Sequence, residues 1–241
     1  MNYPKWTMGI AAVLLSATAL GQTVRVASKN FTEQFVLAEL YAQALEAAGI
    51  KVERKVNLGG TLIAHKALEE KQIDMYPEYT GTMLLAVLKG DVMTDRKAVY
   101  DKVKEEYAKK GLVLLNEAPV NNTYNMVVRP DTAEKYKLET LSDLTKVSKE
   151  LKLGAGPEFR DRKDGIPGLK AVYGMEFKED LQMAIGLRYQ ALSNKQIDVV
   201  NGYSTDGMIA AMKLKRLKDD KGLWPPYFLS LIHISEPTRP Y

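Results

Sequence analysis

Apolar and polar residues alternate through Val24-Arg25-Val26-Ala27, the pattern of a half-buried strand. A helical pattern follows. Thr32, with Glu33 and Gln34 behind it, opens the helix; Phe35, Val36, Leu40, Ala44, Leu45 and Ala48 share one broad face, and Gly49 stops it. Alternation returns over residues 51–56, Gly59-Gly60 turns the chain, 62–70 predicts a second helix and 73–76 a third strand. The order β-α-β-α-β implies a parallel, right-handed α/β unit. Helices over 81–88 and 98–109 and a strand over 112–115 complete the half.

Glu117-Ala118-Pro119-Val120-Asn121-Asn122 has the composition of a crossover, and a second α/β pattern follows it. Strands are predicted at 124–128, 153–155 and 197–200. Helices are predicted at 141–151, 168–173, 180–192 and 207–215, and Pro225-Pro226-Tyr227 reads as a return crossover. Residues 22–118 and 119–226 thus form two lobes, with 227–228 starting a return to the first.

One stretch is written twice. Ala67-Leu68-Glu69-Glu70-Lys71-Gln72-Ile73-Asp74 returns as Ala191-Leu192-Ser193-Asn194-Lys195-Gln196-Ile197-Asp198, and Tyr79 and Tyr203 follow at the same offset. The copies lie too far apart for a solenoid, whose repeats run roughly 20–50 residues. They mark equivalent units in two lobes. In open α/β sheets ligands sit at the carboxyl ends of strands, and both tyrosines are placed just past such an end.

The two ends of the chain read differently from its middle. Lys5 supplies a positive start, residues 8–20 form an apolar run shorter than the ~20 residues of a spanning helix, and Ala19-Leu20-Gly21 is a small-x-small cleavage site. Residues 1–21 are therefore expected to be a cleavable signal peptide, placing the mature chain in the periplasm or outside the cell. Leu229-Ser230-Leu231-Ile232-His233-Ile234-Ser235-Glu236-Pro237-Thr238-Arg239 reads as the conceptual translation of a transposase-type sequencing-library adapter. Residues 229–241 are accordingly expected to be a non-native tail, with the C-terminal return segment missing.

Composition narrows the chemistry. There is no cysteine, which removes disulfides, thiol nucleophiles, Cys-ligated metals and a lipid-modified N-terminal Cys. His65 and His233 are the two histidines, leaving most metal sites and acid–base triads without material. The formal net charge of +4 is spread along the chain, with no nucleic-acid footprint; Lys213-Leu214-Lys215-Arg216-Leu217-Lys218 reads as a solvated helix end. No cofactor or metal is expected.

Thirteen tyrosines stand against five phenylalanines, and a phenol can wall a wet cleft with a π face and a polar tip. Tyrosines on loops after strands suggest an aromatic cage for a quaternary ammonium group, held by cation–π attraction of about 0.5–2 kcal/mol per contact. A zwitterion needs an anion subsite as well. Lys29 precedes a helix N-terminus, Thr82 begins a helix after a glycine, and Arg162 could clamp a carboxylate bidentately. Arg160 and Arg162 could equally pair with Asp161 or Asp164.

Five motifs occur in order: Ser28-Lys29-Asn30-Phe31-Thr32-Glu33-Gln34, Tyr76-Pro77-Glu78-Tyr79-Thr80-Gly81-Thr82, Asn121-Asn122-Thr123-Tyr124, Glu158-Phe159-Arg160-Asp161-Arg162-Lys163-Asp164-Gly165 and Gly202-Tyr203-Ser204-Thr205-Asp206-Gly207. Together they resemble the osmoprotectant (glycine betaine/choline/carnitine) substrate-binding proteins of ABC importers, from about Val24 to Tyr227. The resemblance implies an α/β, two-lobed type II periplasmic-binding-protein fold, each lobe a mostly parallel sheet flanked by helices, which closes on a ligand by hinge bending and delivers it to an ABC permease. It implies a cage of Tyr79, Tyr124, Tyr203 and Tyr227 and carboxylate-binding groups at Lys29, Thr82 and Arg162. Asn122 stands where some relatives carry Asp, which removes a charge beside the cage. Other readings are an enzyme on a similar fold, such as a deaminase-type tetrapyrrole synthase, which would need a cysteine; a regulator or permease fusion, which would need a DNA-binding or membrane segment; and a binding protein for another polar solute such as an amino acid.

Overall fold

The computed structural model describes residues 23–234. The expected signal peptide lies outside these residues, as does the end of the adapter-like tail. Strands β1 (Val24–Ala27), β2 (Val52–Lys55), β3 (Met75–Tyr79) and β4 (Leu112–Leu114) belong to one five-stranded sheet. Strands β5 (Tyr124–Val128), β6 (Lys152–Ala155), β7 (Glu179–Gln182), β8 (Val199–Tyr203) and β9 (Lys215–Leu217) form a second. The last strand, β10 (Leu229–Ile234), crosses back into the first sheet.

The two sheets have one plan. Their orders are β2-β1-β3-β10-β4 and β7-β6-β8-β5-β9. In each, the first three strands run parallel and the fourth runs antiparallel to both its neighbours. That fourth strand is the one reached by a chain crossing between lobes: β5 after β4, and β10 after β9. The crossing segments pair with each other. Asn121 and Phe228 form an antiparallel bridge, the Asn122 amide donates to Tyr227 O at 2.9 Å, and the Leu229 amide donates to Val120 O at 2.9 Å. A double-stranded connection of this kind can bend while keeping the lobes in register.

The duplicated sequence builds the same device twice. Helix α1 (Thr32–Ala47) follows β1, and α2 (Thr61–Glu69) leads into the first copy. At the end of α2, Lys71 adopts left-handed backbone with φ 57° while the Gln72 amide donates to Ala67 O at 2.8 Å and the Lys71 amide to Leu68 O at 3.0 Å. In the second copy Lys195 has φ 59°, with Gln196 to Ala191 O at 3.0 Å and Lys195 to Leu192 O at 3.1 Å. Each is a Schellman stop with lysine at the position glycine usually fills. Each copy's aspartate then ties two strands at their starts: Asp74 Oδ2 accepts the Arg25 amide at 2.7 Å, and Asp198 Oδ2 accepts the Lys152 amide at 3.0 Å. A left-handed conformation is costly for a residue with a Cβ, so Lys71→Gly and Lys195→Gly should each stabilise the chain by roughly 0.5–1 kcal/mol, offset in part by glycine's looser unfolded state. Urea unfolding midpoints would show this, and a fall in both would refute it.

Four sequence expectations are corrected. Residues 180–192 are not one helix: Glu179–Gln182 is the polar edge strand β7, and the helix spans Arg188–Ser193. The last helix of the second lobe stops at Ala211, and Lys215–Leu217 is the edge strand β9, so the basic cluster is not a helix end. The strands expected to end at 76 and 200 run on, so Tyr79 and Tyr203 are the final residues of β3 and β8 rather than lying just past them. The return strand is present: Leu229–Ile234 fills the place between β3 and β4, pairing Leu229 with Tyr79 and Ile232 with Leu114. In the adapter-like segment Leu229, Ser230, Leu231 and Ile232 are all buried, with aliphatic groups on both faces, which is what a strand between two neighbours demands. His65 packs inside the first lobe, 4 % exposed, with Nδ1 at 3.2 Å from the Tyr76 hydroxyl, and burial pushes its pKa down.

Candidate ligand-binding site

A cavity of about 280 Å³ opens between the carboxyl ends of the two sheets. Its position follows from the topology: β1 and β3 of one lobe and β6 and β8 of the other end there. All eight residues singled out in the sequence line it.

The aromatic wall comes from both lobes. Tyr79 ends β3, Tyr203 ends β8, Tyr124 begins β5 and Tyr227 precedes β10. Tyr124 is the hub: its ring lies 5.5 Å from Tyr203, 5.7 Å from Tyr227 in an edge-on arrangement, and 4.9 Å from Phe159. Phe31, at the start of α1, joins the two lobes' tyrosines, with ring centroids 6.4 Å from Tyr79 and 5.2 Å from Tyr203. Phe31 sits in a motif the sequence exposed, but its place between Tyr79 and Tyr203 needed the fold. Burial pushes the phenols of Tyr79, Tyr124 and Tyr227 well above their ordinary range, so they remain neutral hydrogen-bonding groups.

The cations proposed for an anion subsite already have partners. Lys29, 4 % exposed, forms an ion pair with the fully buried Glu78, and its Nζ lies 5.0 Å from the Tyr79 ring centroid. Arg162 turns its fork onto Asp164, Nε to Oδ1 at 2.8 Å and Nη2 to Oδ2 at 2.6 Å. Asp164 also accepts the Tyr227 hydroxyl, so one buried carboxylate orients both a cation and a ring of the wall. Arg160 instead pairs with Asp180 at 2.7 Å. Thr82 is buried on the short helix Thr80–Thr82.

Asn122 places Nδ2 2.9 Å from Glu33 Oε1, and the same oxygen accepts the Tyr79 hydroxyl. A carboxylate therefore does stand beside the cage, contributed by α1 and not by position 122. Beneath Tyr203, the buried Arg188 guanidinium lies 4.4 Å from the ring centroid and pairs with Asp206. Asp164 was already a candidate partner of Arg162; the partners that sequence reasoning missed are Glu33, Glu78, Arg188 and Asp206. They act through residues distant in the chain, and nothing in local pattern marks them.

Residues 22–234 match the family described as the substrate binding domain of ABC-type glycine betaine transport systems. The chain belongs to this family. Among relatives of this substrate-binding domain, the carnitine transport binding protein of Listeria monocytogenes is 37% identical over 218 residues, covering 89% of this chain and 71% of the relative. The glycine-betaine-binding protein of Pseudomonas aeruginosa is 36% identical over 231 residues, covering 91% and 74%. A crystal structure described as a glycine betaine/carnitine/choline ABC transporter is 36% identical and superposes with a TM-score of 0.69, covering 88% of this chain and 79% of that one. The fold is the two-lobed, type II periplasmic-binding arrangement of such substrate-binding domains. Among the described residues no helix is long and apolar enough to cross a membrane.

Proposed function

We propose that the chain captures a quaternary ammonium compatible solute outside the cytoplasm and hands it to an ABC permease, making and breaking no bond. The observation that carries this reading is the aromatic wall: six rings from two lobes converge on one cavity. A trimethylammonium group spreads its charge over methyls that cannot donate ordinary hydrogen bonds. Neutral π faces suit it better than the acceptors a primary ammonium would need. The names of the relatives support the same class. The cavity's place between lobes joined by two paired segments supports closure by hinge bending.

The test is calorimetry with trimethylammonium solutes. Each cage contact is worth about 1–2 kcal/mol when desolvated, so Tyr79→Ala and Tyr203→Ala should each weaken binding roughly 5–30-fold. Unchanged affinity in both variants would sink the cage. Export through a cleavable leader over residues 1–21 belongs to the same proposal; an exported chain whose intact mass does not begin near Gln22 would contradict it.

A further inference from the structure

Lys29, Arg162 and Glu158 are the charged residues of the cavity lining, and in the shell around it carboxylates outnumber cations. Lys29 is matched by Glu78, Arg162 by Asp164, and Arg188 beneath Tyr203 by Asp206. Two further carboxylates have no cation partner. Glu33 accepts from Tyr79 and Asn122, both neutral. Glu158, on the short helix Pro157–Asp161 of the second lobe, lines the cavity, and its carboxylate makes no hydrogen bond or ion pair among the described residues. Its carboxylate reaches across to the first lobe and lies against Gly60, where a Cβ would collide with Glu158 Oε1. Around the site, three cations therefore face five carboxylates.

We propose that Glu158 is a specificity-determining residue of this cleft, selecting a quaternary ammonium alcohol of the choline type over a carboxylate-bearing zwitterion of the betaine type. The inference rests on the quaternary ammonium reading above. A ligand that keeps its net positive charge is attracted to the surplus carboxylates, and its hydroxyl can donate to Glu158. A ligand carboxylate meets like charge instead. Arg162 and Lys29 already direct donors to Asp164 and Glu78, so a ligand carboxylate they hold lies beside a carboxylate already paired there.

The experiment is calorimetric titration of the full chain with choline chloride and with glycine betaine at matched ionic strength, for the wild type, Glu158→Gln and Glu158→Asp. The wild type should bind choline at least tenfold more tightly than betaine. Glu158→Gln should reduce that ratio at least tenfold by weakening choline while betaine is unchanged or tighter, and Glu158→Asp, which keeps the charge, should keep choline preferred. A purely structural role would impair both ligands together, and the thermal midpoint of each ligand-free variant would register a failure to fold. A wild type that prefers betaine, or a ratio unmoved in Glu158→Gln, overturns the assignment while leaving the cage intact. Binding of neither solute by the wild type overturns the cage reading itself.

Discussion

Asp164→Ala is expected to cost about 3–5 kcal/mol of folding stability, because it breaks a buried ion pair from one side. Asp164 is fully buried; it takes Arg162 on both oxygens and the Tyr227 hydroxyl on one of them. Without it, a guanidinium whose side chain is 9% exposed stands in the second lobe with no counter-ion, and a buried phenol loses its acceptor. Whole domains are stable by only ~5–15 kcal/mol, so the loss is a large share of what holds the fold. Urea unfolding would show it as a lowered midpoint at unchanged slope. The paired replacement of Arg162 and Asp164 by apolar residues of similar volume should be milder than the sum of the single changes, since it leaves no charge stranded. An unchanged midpoint in Asp164→Ala would mean that the Arg162 fork is held by some other group.

That pair marks the boundary of what the sequence made legible. Arg162 and Asp164 are two residues apart, so their pairing could be entertained beforehand as an alternative to ligand binding. Lys29 and Glu78 are 49 residues apart, and only the parallel pairing of β1 with β3 brings them together. The parallel units themselves were readable because β3 is wholly buried and α2 buries Ala64, Ala67 and Leu68 at helical spacing; the apolar face expected of the first helix was not the buried one, since Val36 and Leu40 are exposed and Ala38 and Ala42 are buried. The edge strands of the second lobe were not readable: β7 is largely exposed, carries no apolar stripe, and so passed for the start of a helix. The helix Pro130–Tyr136 was missed because its seven residues bury only Thr132, although Pro130 at its first position is a helix-start signal. The cage tyrosines were legible through the duplicated text, which fixes both at the ends of equivalent strands. Their charged environment was not, because Glu33 and Asp164 reach Tyr79 and Tyr227 through the fold, as Asp206 reaches Arg188.

A chain ending at Phe228 is expected to lose the stability of its first lobe. β10 is the one strand bonded to β4, and it separates β4 from β3. Its Leu231 and Ile232 belong to clusters on opposite sides of the sheet, Leu231 with Val26, Ala38 and Met75, and Ile232 with Tyr76, Val99 and Leu114. With Leu229 these are three buried aliphatics, worth roughly 5–9 kcal/mol of burial at the usual 1.5–3 kcal/mol per side chain. Hydrogen bonds add to this: the Leu115 amide donates to Leu231 O at 2.9 Å and would be left unpaired, and Leu115 O would lose Ser230 Oγ at 2.6 Å while keeping the Tyr100 hydroxyl. A loss of that size matches the whole stability of many domains. The shortened chain should therefore unfold in two steps or show a partly unfolded first lobe by hydrogen exchange at β3 and β4, with the second sheet still protected. Coincident, undiminished unfolding of the shortened and full chains would refute this. What the sheet requires of residues 229–234 is buried aliphatic groups on both faces, extended backbone and no proline, a requirement many sequences meet. Replacing Leu229–Ile234 with a different strand-forming apolar sequence should consequently restore folding. Ile232→Asp, which changes one wholly buried position, should reproduce most of the truncation's loss.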